Sequence, residues 1–594
     1  MNKSIFQRIV LPAAFIASLG CVSACTNTDV DTDEGLMNAL VKREKLDKAM
    51  PKITGMMSNS EKIAPYIDVL TEMYIKGTGF DRDVITALAH AGDPKASKAF
   101  EKAAASIDNK QVMQAAYGVK KTKNADIQKK LLARWDELKN PETRRVILDT
   151  GTTIKSDEVT AKAKEILSGN FDDTPYALLR ASCNVLAYQQ DPSTVDTLIV
   201  ALFHMDQQGH SLTTDCTKAL LSLGKKTAVP ALIKAYKLEN AELNTFIDKH
   251  PETLTTDTVR NNTAADLAVL RATEAVGPML EVISNTKQIP IPGTLVMKPS
   301  GDPAWMQWAT LVGASSQASF YAVNDIGVSG HEADAKRIFT DIYNWTEAYQ
   351  TKFKNAIKLT GTTNIEISQR VNAFRVLREN GLIDSNETLA MIEKLKGDEF
   401  KDERTLRNYA RSSIATDMIT YIAVTAQGGE IKTLWQAFAD MKVEDGPLFC
   451  PEEELNNPKS IHPNVNISKR IEDVLPAFEL ADTCDKSAPC YSKAVLNQDG
   501  TVNDKASNYE RIRAVYEFGA SGEHEYFETV CTLYKSFDMF GQIYATNALA
   551  KLGTKDDIPR IEELIDTLSK SMSQIAYQSA KPNLENLIFT LQNK

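Results

Sequence analysis

Strand-like alternation of apolar and polar side chains is nearly absent from this chain, which removes the pattern that a half-buried sheet needs. Positive charge is short as well: 68 Lys and Arg stand against 78 Asp and Glu, a formal net charge of −10. Loss of Lys3 and Arg8 with the leader described below takes −10 to −12, the wrong sign for a surface that tracks phosphates. Nucleic acid is therefore not an expected partner. After the first twenty or so residues no apolar run is long enough to cross a bilayer. Aromatics at 7% and charged residues at 25% fit a soluble body carried on an anchor.

Constellations that carry chemistry are also missing. There is no phosphate-cradling glycine loop and no nucleophile elbow. Val146 to Thr152 resembles the active-site strand of aspartic proteases through Asp149-Thr150-Gly151, but that chemistry needs a second carboxylate and no second Asp-Thr-Gly occurs. The segment falls where a helix should end, so Gly151 reads as a helix stop. His331-Glu332 and His524-Glu525 lack a second histidine four residues on, which rules out the zinc-protease helix. His204, His210 and His462 have no spacing that forces them together on a metal. Asn497 to Asp504 fails as a calcium loop, because the frame set by Gly500 puts Val495 at its first position and Ala506 at its twelfth. The expectation is a chain that is not an enzyme and holds no cofactor and no metal.

What the sequence does contain is a repeat. Thr174-Pro175 and Asp191-Pro192 each place a cap residue before a proline at the first helical position, where the missing N–H costs nothing. Between and after them run the apolar stripes Leu178, Leu179, Leu186, Ala187 and Val195, Leu198, Ile199, Leu202. A second copy follows with Leu212, Cys216, Ala219, Leu220 and Leu223, a stop at Gly224, then Val229, Leu232, Ile233 and Tyr236. Leu223-Gly224, Val229-Pro230 and Leu232 recur in register as Leu552-Gly553, Ile558-Pro559 and Ile561. This stretch resembles the HEAT repeat family, whose period of about 40 residues is near the 33 that separate Cys183 from Cys216. The resemblance implies an all-α fold, an α-solenoid of stacked helix pairs whose second helices line a concave, partner-binding side. A two-helix unit cannot bury its own apolar face, so each copy needs neighbours and the ends need polar caps.

At the start, Lys3 and Arg8 precede the apolar run Ile9 to Leu19, the layout of a secretory leader. The run ends in Val22-Ser23-Ala24-Cys25, which resembles the bacterial lipobox. That resemblance implies cleavage after residue 24, acylation of Cys25 and, with Thr26 next, sorting to the outer membrane. Residues 25–35 are acidic and polar and read as a tether.

The array is expected over residues 36–283, with helix pairs around Asp93-Pro94 and Gly277-Pro278. Pro290, Pro292, Pro299 and Pro303 interrupt it with an inserted loop at 284–304. Helices are expected to resume over 305–443, a second, cysteine-containing insertion to fill 444–508, and repeats with a terminal cap to finish at 509–594. The Asp499-Gly500 pair suits a small hairpin.

With Cys25 assigned to lipid, Cys183, Cys216, Cys450, Cys484, Cys490 and Cys531 remain, an even set for an oxidising compartment. Cys484 with Cys490, or one of them with Cys450, is the expected bridge, because a segment without a helical core gains most from a staple. Cys183 and Cys216 close a bridge only if both point into one shared groove, and otherwise are buried thiols. Ile289, Ile291, Leu295 and Met297 in the first loop, with Trp305, Met306 and Trp308 after it, form the candidate partner-binding patch, rich in the side chains found at interface cores. The expected function is a non-catalytic, lipid-anchored envelope scaffold for a protein or peptide. The alternative is an enzyme or a lyase-like or chaperone subunit, which a pocket lined by convergent polar groups would favour.

Overall fold

A computed structural model describes residues 29–206, 208–250, 254, 256–285, 317–346, 362–396, 406–426, 430–439 and 463–594. The fold is all-α, built of helices packed in consecutive pairs, a HEAT-like solenoid arrangement. Among the described residues, pairing of extended chain is limited to the isolated bridges Met205 to Ser211 and Leu496 to Val502. The second closes the Asp499-Gly500 turn, where Gly500 sits at φ 80°. No described helix is long and apolar enough to cross a membrane. The chain divides into two units, one ending at Gln189 and one beginning at Gln190, so the boundary falls inside the first expected array.

The first unit is a two-row stack. Asp81–Ala91, Asn109–Thr122, Pro141–Asp149 and Tyr176–Gln189 pack one on the next. Ile67–Lys76, Ser97–Ala104, Ala125–Ala133 and Asp157–Leu167 form the second row. Between the rows lie Leu88, Phe100, Val119, Leu131, Ile147 and Val159, all buried. Asp93, Asp108, Asn124, Asn140 and Ser156 each accept a backbone N–H at the start of the helix that follows, which satisfies donors the helix itself cannot.

The expected tether is shorter than residues 25–35. Thr32 caps the helix Asp33–Lys42, whose first turn holds Asp33 and Glu34 at the positive end of the helix dipole, and Leu36, Ala39 and Leu40 are buried. The acidic composition marks a helix start there rather than unstructured chain. Asp149-Thr150-Gly151 lies at a helix end followed by the short 3-10 turn Thr150–Thr152, with Asp149 paired to Lys120 at 2.6 Å.

In the second unit the first helices of successive pairs follow one another around a ring. Thr256–Val269 packs on Gln317–Ile326, then Thr362–Glu379, Leu406–Thr425, Asn508–Ser521, Met539–Leu552 and Gln574–Gln592, and the last returns to Thr256–Val269. Three bonds seal the return. Thr590 Oγ1 donates to the Val269 carbonyl at 2.8 Å, the Lys225 N–H donates to Asn593 Oδ1 at 3.1 Å, and Lys218 pairs with Glu585 at 3.2 Å.

Part of the stretch expected as an irregular insertion at 444–508 is helical. Pro463–Cys484 packs behind Leu406–Thr425 and Asn508–Ser521, burying Val474, Ala477, Phe478 and Ala481, a helical stripe that the flanking prolines and asparagines obscured. Ala488–Val495 follows it and buries Tyr491 and Val495. The expected loop at 284–304 lies, from residue 286 on, outside the described residues.

Candidate functional site

The ring of the second unit surrounds a half-open cavity of about 480 Å3. Its walls explain why it is open. Ala265, Ala268, Ala318, Ala322 and Ala550 face it with methyl groups where a core helix would carry Leu or Phe. Tyr321, Phe540 and Ile543 stand on its apolar side, with Tyr321 and Ile543 partly exposed. The resemblance implied that second helices line the concave side, but here the first helices do. Small residues on those helices let the inner circumference contract.

Behind the apolar wall lies a polar cluster. Arg375 is 5% exposed, and Tyr321, Tyr421 and Tyr544 surround its guanidinium carbon at 5.7, 5.6 and 5.9 Å from their ring centres. Its Nε donates to Glu379 Oε1 at 3.0 Å. Glu379 also accepts from Tyr544 Oη at 2.5 Å and from Asn324 Nδ2 at 2.5 Å, and Asn380 Nδ2 donates to Asn324 Oδ1 at 3.0 Å. Burial opposes the charge on Arg375, yet the Glu379 carboxylate holds its pKa well above the ordinary value. Burial raises the Tyr544 and Tyr421 phenols, so both stay neutral, and Tyr544 keeps the proton it donates to Glu379.

Arg271 and Asp325 border this cluster differently. Arg271 follows the helix Thr256–Val269 at φ 50° and donates from Nη2 to Asn547 Oδ1 at 2.9 Å. Asn547 Nδ2 in turn reaches Asp325 Oδ1 at 3.4 Å. Burial lowers the Arg271 pKa and raises that of Asp325, which Arg375 and Arg271 only partly offset. A smaller cavity of about 150 Å3 adjoins the first and shares Arg271, Asp325 and Asn547 with it; Lys551, its pKa lowered by burial, lies on the far wall. Gly519 lets two helices meet there, since a Cβ would stand 3.0 Å from Ala548 Cα.

None of these residues was singled out from the sequence. They come from elements spread between residues 265 and 590 and share no motif. One signal was present: Arg375 and Arg378 sit inside Val371–Leu377 and its continuation, where every residue from Val371 to Arg378 is buried, and Asn324-Asp325 follow directly on Phe320 to Val323. Charges inside an apolar helical run mark a buried polar network.

The residues that the sequence did single out fall elsewhere. Cys484 and Cys490 form a disulfide with Cα atoms 5.4 Å apart, tying the end of one helix to the start of the next. Cys183 and Cys216 are buried and each is disulfide-bonded. Cys531 is a buried free thiol, its pKa pushed up to about 12 by desolvation. Cys25, Cys450 and the partner-binding candidates Ile289, Ile291, Leu295, Met297, Trp305, Met306 and Trp308 lie outside the described residues. His210 contacts Asp206 and His524 contacts Asp557, both in exposed turns. Among the described residues no three His, Cys, Asp or Glu side chains are grouped to hold a metal.

No family model matches the chain, and no curated protein matches it in sequence. Solved structures do. One is of Kap95p binding RanGDP, at 11% identity and a TM-score of 0.34, covering 94% of this chain and 76% of that one. A second is of Kap121p bound to Nup53p, at 11% identity and a TM-score of 0.37, covering 93% and 53%. A third is of the karyopherin Kap121p bound to the extreme C-terminus of the protein phosphatase Cdc14p, at 10% identity and a TM-score of 0.27, covering 95% and 61%. This chain thus spans little more than half the length of the second of these.

Proposed function

We propose that this chain is a non-catalytic binding scaffold, held at the outer membrane of a bacterial envelope by a lipid on Cys25, and that its protein or peptide partner engages the cavity of the second unit. The observation that carries the reading is the alanine-walled cavity itself. It is a half-open hollow of about 480 Å3, a volume in the range of ligand sites, with Tyr321 and Ile543 exposed at its rim, and the polar groups behind it are held in fixed positions by one another. An all-α array of helix pairs suits protein binding, and the Glu379 carboxylate already accepts hydrogen bonds from Arg375, Tyr544 and Asn324.

Photo-crosslinking from the cavity rim tests this. A photoreactive residue at Ile543 should give a discrete envelope adduct that one at exposed Glu562, on the outer helix Ile558–Ser571, does not give. Equal labelling from both positions sinks the reading. Mass spectrometry of the N-terminal peptide tests the anchor, and an unmodified Cys25 removes that part.

A second reading, an enzyme or a lyase-like or chaperone subunit, is favoured by the raised Asp325 carboxyl close to the lowered Arg271. It requires turnover of a captured ligand that Asp325→Asn abolishes without weakening capture.

A further inference from the structure

We propose that the cavity of the second unit is a receptor for a single carboxylate carried on an apolar body, with the Arg271 guanidinium as the group that receives it. The proposal rests on the reading of that cavity as a ligand site and names what the ligand must offer.

Charge bookkeeping inside the ring is the first argument. Arg271, Arg375 and Lys551 are three cations facing the two carboxylates Asp325 and Glu379. Arg375 and Glu379 neutralise one another at 3.0 Å. Asp325 makes no ion pair among the described residues, and neither Arg271 nor Lys551 does. One positive charge is left over in a largely buried cluster, and burial lowers the pKa of both Arg271 and Lys551. Such a site gains most from one arriving anion.

Geometry is the second argument. The Arg271 side chain uses one donor, toward Asn547, and a guanidinium has five. Arg271 lines both cavities, and two guanidinium N–H groups in parallel match the two oxygens of a carboxylate. A doubly charged phosphate would exceed the surplus of one and meet Asp325 and Glu379 at close range, which favours the singly charged group.

The apolar body follows from the walls. Tyr321, Phe540 and Ile543 with the alanines give the larger cavity room for an alkyl chain or for one or two apolar side chains, a volume in the range of small-ligand sites. Two sources offer this chemistry: a free fatty or aromatic acid, and the C-terminus of a peptide that ends in apolar residues.

Calorimetric titration of the full mature chain separates them. The probes are decanoate against decanol, and an apolar tetrapeptide acid against its C-terminal amide. The expected result is that in at least one pair the acid binds at least about tenfold more tightly, and that Arg271→Gln removes this preference. The pair that shows it identifies the source. Decyl phosphate binding more tightly than decanoate overturns the assignment of a singly charged head, and no acid preference in either pair overturns the proposal. Ala268→Trp, which fills the cavity, tells the two levels apart. If neutral probes bind and are expelled by Ala268→Trp while Arg271→Gln has no effect, the cavity is a ligand site but not a carboxylate site. If nothing responds to Ala268→Trp, the cavity reading itself fails. Should Arg271→Gln not fold, Lys551→Met lowers the same charge surplus and is expected to weaken acid binding by several-fold.

Discussion

The two units solve one problem, joining helix pairs into an array, by opposite means. In the first, long cations reach from one helix to the carbonyl end of another. Lys102 Nζ donates to the Tyr74 and Ile75 carbonyls at 3.0 and 2.9 Å, Lys121 to His90 at 2.6 Å, Arg134 to Ala104 and Ser106, and Lys155 to Gln189 at 3.1 Å. Each satisfies carbonyls that a helix end leaves free and complements its dipole, with the cation near water. In the second unit the charged groups are inside. Arg513 is fully buried and donates to the Val424 carbonyl at 2.8 Å, the Ala426 carbonyl at 2.5 Å, Tyr491 Oη at 3.2 Å and Glu517 at 2.6 Å. A stack whose helices pack in simple succession can keep its polar joints at the surface. A ring that closes on itself encloses some of them and must satisfy each one.

That contrast predicts where damage is greatest. Arg513→Met should destabilise the second unit by roughly 3–5 kcal/mol, because it leaves a carboxylate and two carbonyls buried without their donor. Hydrogen exchange should show loss of protection confined to residues after 190, and the double variant Arg513→Met with Glu517→Leu should recover part of the loss. An unchanged second unit after Arg513→Met would end the contrast.

The next effect is one of pH. Burial lifts the Asp266 carboxyl to about 7 and the Asp417 carboxyl to about 6. Unfolded chain ionises such groups near pH ~4. Between pH ~4 and ~7 the unfolded state has therefore released protons that the fold retains, so their contribution is fully present below that window and is lost as pH rises through it, at up to about 1.4 kcal/mol per group per unit. In the first unit the shifted carboxylates, such as Glu72, Glu101 and Glu142, are lowered, first of all by hydrogen bonds to Lys76, Lys130 and Arg145, and are largely exposed. Their contribution is small and has the opposite sign. Urea melts at pH 5 and 8 should show the second unit weakening and the first not, and Asp266→Asn should flatten part of the slope.

The smallest effect is Lys102→Met, which removes one surface joint. It should cost about 0.5–1 kcal/mol, visible as faster exchange at the end of Ile67–Lys76. A loss as large as that of Arg513→Met would erase the distinction between the units.

Helix pairing was legible in the sequence because caps, prolines and apolar stripes are local. The matched Leu-Gly pairs show how far local reading reaches. Gly224 opens its helix at φ 77°, a left-handed backbone that favours glycine. Gly553 ends its helix at φ −73°, and what it needs is space, since a Cβ would stand 2.8 Å from the Phe527 ring. The same letters serve two purposes. Pro463–Cys484 was read as interruption because prolines and asparagines flank its apolar stripe, and Arg375, a charge buried inside an apolar helical run, was passed over. The cavity was not legible at all. Asp325 and Asn547 are 222 residues apart, and only ring closure brings them together.

That closure also sets an order of events in time. The first unit's contacts link neighbouring helices, so it can acquire structure while the rest of the chain is still being made. In the second, Thr590 bonds to Val269 across 321 residues and Asn593 to Lys225 across 368. Such non-local contacts repay their loop-closure entropy only once the final helix is present. Until Gln574–Gln592 is delivered, the alanine-lined faces and the Arg271 guanidinium stay open to water. The second unit is thus slow to commit and depends on its last twenty or so residues, and a chain that lost them would keep its helices but expose its interior to aggregation.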